Sequence, residues 1–311
     1  MNKRKIVLML SVFFIISFSF GLIACEKPTE GLVFEITEGG YTVVDYDGSD
    51  TNVIIPSKYK GKPIVGIGHS AFAGCLHLES ISISDSVKSI ASEAFDDCDN
   101  LAKVNYLTEE SYFDGIQNWA QIAFADMESN PLNCGANLYI NDELAKEIEI
   151  LTMSTVMDYA FSGCTSLSRV HISGAVTTIG KGVFASCDNI VSVSLGPNIT
   201  TIGIGAFEKC ESLGSIDIPD GITSIGESAF EDCVSLGVLK IGSGVVRIGE
   251  SAFNGCTNLM SVMFEIVDGW KVYESYALDN GIVILESLIA DSKSAIEFLT
   301  VQYQDYIWVR E

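Results

Sequence analysis

The side chains of this 311-residue chain that could attack a substrate, ligate a metal or carry protons are nine cysteines, three histidines and 41 acidic residues. Seven of the cysteines obey one spacing. Cys75 and Cys98 lie 23 residues apart, and Cys164, Cys187, Cys210, Cys233 and Cys256 follow one another at the same interval. Only the step from Cys98 to Cys164 departs, at 66 residues, 43 longer than one period. Zinc sites use Cys-x-x-Cys pairs or nearby histidines at ligand spacing, and neither occurs here. Equivalent cysteines in stacked units would stand about 4.8 Å apart with parallel side chains. A disulfide needs its Cβ atoms nearer, about 3.8 Å, and turned toward each other. The expectation is therefore a ladder of free, buried thiols acting as small apolar groups, although exported proteins ordinarily oxidise theirs.

The remaining reactive residues organise no chemistry. His69, His77 and His171 fall in different units without a recurring partner. Acidic clusters such as Asp96-Asp97-Cys98-Asp99 lack the EF-hand and nonapeptide calcium patterns, so a solvated surface accounts for them. Gly-x-Ser-x-Gly, His-Glu-x-x-His, P-loop and dinucleotide fingerprints are missing. We expect no catalytic residue, no metal ligand and no cofactor, hence no enzyme.

The elements that position the cysteines repeat with them. Phe stands three residues before each (Phe72, Phe95, Phe161, Phe184, Phe207, Phe230, Phe253), and Ala stands four before, except Val183. Eight before comes Ile or Val (Ile67 to Ile248), and three after comes Leu, except Ile190. After that Leu the chain alternates, as in Ile81-Ser82-Ile83 or Ile216-Asp217-Ile218, which is a short strand with two inward residues. Pro219-Asp220-Gly221 and its equivalents then turn the chain. A second extended piece such as Ile222–Ile225 follows, ending at Gly in five of seven units. Ala-Phe-x-x-Cys closes the unit as one helical turn with Ala, Phe and Cys facing in. A single unit cannot bury that face, so the units must stack.

The pattern Leu-x-x-Ile-x-Ile-Pro-x-x-Val-x-x-Ile-Gly-x-x-Ala-Phe-x-x-Cys, over roughly residues 53–264, resembles the BspA-like leucine-rich repeats of bacterial surface proteins. The resemblance implies an α/β repeat solenoid, a leucine-rich-repeat superhelix with short strands and one helical turn per coil. The first unit departs from the pattern, because Ile55-Pro56 is followed by five extra residues around Lys58-Tyr59-Lys60-Gly61. That suits a capping unit.

Organisation along the chain follows. Residues 1–24 read as a secretory leader: Lys3, Arg4 and Lys5, an apolar run to about Phe20, then Leu22-Ile23-Ala24-Cys25. The run of about 15 is short for a membrane span. Leu-Ile-Ala-Cys resembles a bacterial lipobox, which implies acylation of Cys25. Residues 25–40 would be a tether, 41–264 the solenoid with an insertion at about 105–147, and 265–311 a C-terminal cap. In the insertion, Trp119, Ile122 and Phe124 suit a short amphipathic helix, and Leu138–Leu144 a strand and turn. BspA-like proteins carry a similar segment between repeats. Trp270-Lys271-Val272-Tyr273 and Tyr303–Trp308 suit the cover of the last coil, with a helix at about 294–299.

Charge limits the partners. The leader holds three of the 18 basic residues and none of the acidic ones, so the mature chain of about 287 residues carries close to −26. Phosphate contacts need a basic surface, which excludes nucleic acid. The membrane is expected to be met only through the lipid anchor. The outward residues of the first strands form the candidate binding face: Ser80, Ser82, Arg169, His171, Ser192, Ser194, Ser215, Asp217, Val238, Lys240, Ser261 and Met263. This mostly small, polar row of about 40 Å could recognise a macromolecule or simply face solvent. Trp119, Phe124 and Tyr139 are candidate contacts in the insertion, with burial against the flank as the competing account. Two functions remain open. One is a monomeric, cell-surface or outer-membrane adhesin for a host or matrix protein, as the resemblance implies. The other is a glycan-binding or scaffolding lipoprotein of the bacterial envelope, which exposed aromatics at 119–139 would favour. Glu26, not Asp, follows the anchor cysteine, a pattern that leans toward the outer surface.

Overall fold

Alternation of apolar and polar residues places two rows of short parallel strands on opposite faces of one stacked core. The computed structural model describes residues 28–274, 277–284 and 286–310, so the leader, Cys25 and its proposed acylation lie outside the described residues. The first face holds Asn52–Ile55, Ser80–Ser84, Lys103–Leu107 and Asn137–Ile140, then Glu147–Ile150, Arg169–Ile172 and Ser192–Leu195, then Ser215–Ile218, Val238–Ile241 and Ser261–Phe264, each group a parallel ladder. In the repeats the second face is built from two-residue strands, among them Thr155–Val156, Thr178–Ile179, Thr201–Ile202, Ser224–Ile225 and Arg247–Ile248. Equivalent residues 23 apart pair in register throughout this run, so the sequence period is the rise of one coil.

The closing turn of each coil holds the inward Ala, Phe and Cys. It is tight: Cys98 N–H donates to the Phe95 carbonyl at 3.2 Å, three residues back. Residues five and one before each of the seven cysteines of the 23-residue pattern sit in the left-handed region, as with Glu93 (φ 57°) and Asp97 (φ 54°). The turn therefore pairs outward with its neighbour instead of winding on as helix. Phe184 N–H donates to Ala206 O and Phe207 N–H to Ala229 O, both at 2.8 Å, giving a third ladder between coils. The phenyl rings stack along it, with centroids 5.3 Å apart for both Phe184–Phe207 and Phe207–Phe230.

The eight cysteines among the described residues are free, and all but Cys134 are buried, as the spacing predicts. Each repeat thiol from Cys187 onward donates to the Phe carbonyl one coil earlier, Cys187 to Phe161 O at 3.0 Å and Cys233 to Phe207 O at 3.1 Å.

Two boundaries differ from the sequence reading. The tether ends sooner than residue 40, because Leu32–Thr37 pairs antiparallel with Gly40–Tyr46 and that hairpin covers the first coil. The insertion does not leave the stack. Cys134 takes the cysteine position of an enlarged coil and donates to Phe95 O at 3.3 Å, so the 66-residue gap is two long coils meeting at Cys134. The added length is spent on the helix Tyr112–Trp119 and on a hairpin of Asn137–Ile140 with Glu143–Leu144. The helix lies N-terminal to the residues expected for it. Ile122 and Phe124 follow it, and Ala123–Phe124 joins the second face.

At the far end the strand Tyr306–Arg310 runs antiparallel onto Arg247–Ile248 and pairs in turn with Trp270–Glu274. Trp270 and Trp308 are buried against Phe264. A helix occupies Ser292–Glu297, capped by Asp291. These aromatics seal the last coil and form no exposed platform.

Candidate functional site

The helix Tyr112–Trp119 begins where its sequence says it should. Ser111 is the N-cap, its hydroxyl accepting from Asp114 N–H, and Asp114 places an acid in the first turn. Its buried side, Ile116, Gln117 and Trp119, packs into the stack, and the Trp119 indole N–H donates to Ala160 O at 2.6 Å. The face bearing Tyr112 and Phe113, with the buried Ile116 at its base, overhangs the strands Glu147–Ile150, Arg169–Ile172 and Ser192–Leu195. Between them lies a groove of about 460 Å³. Its floor is the outward row of the repeat: Glu147, Arg169 and Ser192 in one register, Glu149, His171 and Ser194 in the next.

The floor is polar and the wall aromatic. Arg169 pairs with Glu147 at 2.9 Å, both mostly exposed, a contact that is worth little to stability but holds the guanidinium across the groove. The Tyr112 hydroxyl reaches Glu147 O at 3.4 Å. Burial, and then the nearby Glu143 carboxylate, push the Tyr112 phenol up to about 12, so it stays a neutral donor at neutral pH. Glu149 and His171 have no ion-pair partner among the described residues.

Four of the expected binding residues, Arg169, His171, Ser192 and Ser194, thus meet in one place with the insertion beside them. The others are dispersed. Ser80 donates to Asn52 Oδ1 at 2.6 Å on the first ladder, near the half-buried Ser82. Ser215, Asp217, Val238, Lys240, Ser261 and Met263 belong to the last ladder, where Asp217 stands directly beside Lys240. Lys240 lies 3.7 Å from Asp217 and 2.7 Å from Glu265. The Glu265 hydrogen bond first, and then the Asp217 charge, raise its ammonium above the usual lysine value.

The insertion contacts are corrected. Trp119 and Phe124 are buried, because the enlarged coil needs them as its own core, and neither can meet a partner. Tyr139 is half-buried, with Lys103 Nζ 4.8 Å above its ring. Sequence reasoning missed Tyr112, Phe113, Ile116, Glu147 and Glu149. The Ser111-x-x-Asp114 cap and the alternation Glu147-Ile148-Glu149-Ile150 were the signals that could have found the helix and the strand. Among the described residues no group of three His, Cys, Asp or Glu could hold a metal, and no helix is long and apolar enough to cross a membrane.

A stacked coil of parallel strands with an in-register Phe and Cys ladder defines a leucine-rich-repeat solenoid. The chain belongs to the BspA type leucine rich repeat family, which it matches in six copies over residues 48–129 and 133–260. Similar solved structures include the Treponema pallidum leucine rich repeat protein TpLRR, at 26% identity over 75% of this chain and 90% of that one, TM-score 0.42. A leucine rich cell surface protein from Faecalibacterium prausnitzii is 19% identical over 79% of this chain and 97% of that one, TM-score 0.42. A leucine-rich repeat protein from Bacteroides ovatus is 23% identical over 77% and 71%, TM-score 0.43. No curated protein matches the chain.

Proposed function

We propose that this protein is a non-enzymatic binding protein displayed on the bacterial surface, held there by an acylated Cys25, and that it recognises a polypeptide in the groove beside the helix Tyr112–Trp119. The observation that carries the reading is the convergence of Arg169, His171, Ser192 and Ser194 with Tyr112, Phe113 and Ile116 around about 460 Å³. Protein contacts concentrate on such mixtures of aromatic wall and arginine. The partner belongs to the host or its matrix, and binding there amounts to adhesion. The glycan reading is the weaker one, because it needed exposed aromatics at 119–139, where Trp119 and Phe124 are buried and only Tyr139 is half-exposed.

Two measurements test this. Protease shaving of intact cells, blotted for the solenoid, should remove the signal; full protection until lysis would refute surface display. An array of matrix proteins and glycans should then give a protein ligand whose binding falls about tenfold or more in Arg169→Ala/His171→Ala, the loss of a central contact. Unchanged binding in that variant would remove the groove from the account.

A further inference from the structure

We propose that the N-terminal cap is a membrane foot: the hairpin around Lys58–Lys62, with the aromatic cluster beneath it, rests on the anionic surface of the bilayer that carries the lipid anchor. The inference rests on the acylated Cys25 of the proposed function.

Extra sequence in the first unit forms a small antiparallel hairpin, Lys58–Tyr59 against Lys62–Ile67. Lys60 and Gly61 turn it with φ of 48° and 79°. Lys58, Lys60 and Lys62 are all exposed, and none has an ion-pair partner among the described residues. On a chain whose acids outnumber its bases by 23, three unpaired lysines within five residues stand apart.

An aromatic cluster lies beneath one of them, Lys60. Lys60 Nζ sits 4.9 Å over the Tyr59 ring, which stacks on Phe34 at 4.1 Å and meets Tyr41 edge-on at 5.1 Å. These rings are only partly buried. Ile36, on the same side of its strand as Phe34, is 64% exposed. Lysine heads above half-buried tyrosine and an exposed isoleucine are the combination that suits a bilayer interface, where rings lodge at headgroup level and lysines reach phosphate.

Chain length puts this patch where a bilayer would be. Six residues lie between Cys25 and Leu32, seven steps along the chain, and Leu32 opens the strand bearing Phe34 and Ile36. Seven extended residues span at most about 25 Å, so an anchored Cys25 keeps the foot at the membrane. The acidity of the coils does not oppose this, because charges beyond about 8 Å are largely screened at physiological salt. The hairpin of Leu32–Thr37 with Gly40–Tyr46 also carries exposed acids: Glu35, which alternation turns away from Phe34, Glu38 at its turn, and Glu30, Asp45, Asp47 and Asp50 toward its other end, so the basic patch is confined to Lys58–Lys62. Each lysine at an anionic surface strengthens association about fivefold. The expectation that the acyl chain alone meets the membrane is thereby extended: the anchor tethers, and the foot sets how the rod stands.

The test reconstitutes the full acylated protein in vesicles of phosphatidylcholine, with or without about a third phosphatidylglycerol. Flotation with the neutral vesicles reports the anchor. Amine labelling, quantified by mass spectrometry at each lysine, reports the foot. In anionic vesicles Lys58, Lys60 and Lys62 should label at least fivefold more slowly than in neutral ones, while Lys181 and Lys293 stay unchanged, and 0.5 M NaCl should restore the rate. In Lys58→Glu/Lys60→Glu/Lys62→Glu, slowed hydrogen exchange of the strand Leu32–Thr37 on anionic vesicles should be lost. Equal labelling in both vesicle types, with flotation intact, overturns the foot and leaves the anchor standing. No flotation on neutral vesicles, with lysine protection on anionic ones, rejects the anchor and keeps the foot.

Discussion

The side-chain amide of Gln117 stands in for a missing strand beside Glu149. Its Nε2 donates to the Glu149 carbonyl at 2.6 Å, and its Oε1 accepts Leu151 N–H at 3.1 Å. Glu147–Ile150 pairs with Arg169–Ile172 on one side only, so its other edge would present bare backbone groups, and Gln117 closes it. Removing a partner from buried backbone groups costs roughly 1–3 kcal/mol for each orphan. Gln117→Leu should lower stability by about 2–5 kcal/mol in denaturant titration. A loss under about 0.5 kcal/mol would mean that water replaces the amide.

The phenyl ladder should be felt through neighbouring coils. Phe207 lies between Phe184 and Phe230 and is fully buried. Phe207→Ala should cost about 3–5 kcal/mol, the range for emptying an aromatic core site. Hydrogen exchange should show the flanking turns at Phe184 and Phe230 opening with it.

The thiols make stability depend on alkaline pH. Burial, before any other cause, raises the Cys187, Cys210 and Cys233 thiols well above the ordinary value, and it pushes Cys256 up to about 12. In the unfolded chain these groups ionise near 8.5. A raised folded value leaves stability intact below that pH and removes it as pH climbs toward the folded values, by about 1.4 kcal/mol per unit for each thiol. Melting temperature should be flat from pH 6 to 8 and fall steeply above 9. A flat profile to pH 10.5 would refute the buried, protonated ladder.

Cys134 should be the reactive exception in the solenoid. It is half-buried, and the neighbouring Cys98 side chain, before any other cause, holds its thiol below the ordinary value. A thiol reagent at pH 7.5 should modify Cys134 in the native solenoid and leave Cys187 to Cys256 untouched until denaturant is added.

Coil spacing depends on a column of glycines. A Cβ on Gly203 would stand 2.5 Å from Gly180 O, and one on Gly226 would stand 2.6 Å from the Gly203 carbonyl carbon. Gly203→Ala should therefore cost roughly 1–3 kcal/mol, as overpacking does, measured by thermal melting. A neutral result would show that the coils can part.

Sequence by itself determined the solenoid. Period, strand alternation, the free thiol ladder and the aromatic terminal cover are all local patterns, and stacking repeats them without choice, because each coil buries its face only on its neighbours. The glycine column was visible, but its cause was not, since a close backbone approach between residues 23 apart is a distance and not a pattern. Tertiary structure alone decided what became of the irregular stretch from 105 to 147. Its residues keep no period, so nothing local says whether Trp119 faces a partner or a core, that Cys134 rejoins the ladder, or that Tyr112 and Phe113 lean over Arg169 and His171. Those outcomes depend on which sheet edge needed covering, and that edge exists only once the neighbouring coils have formed.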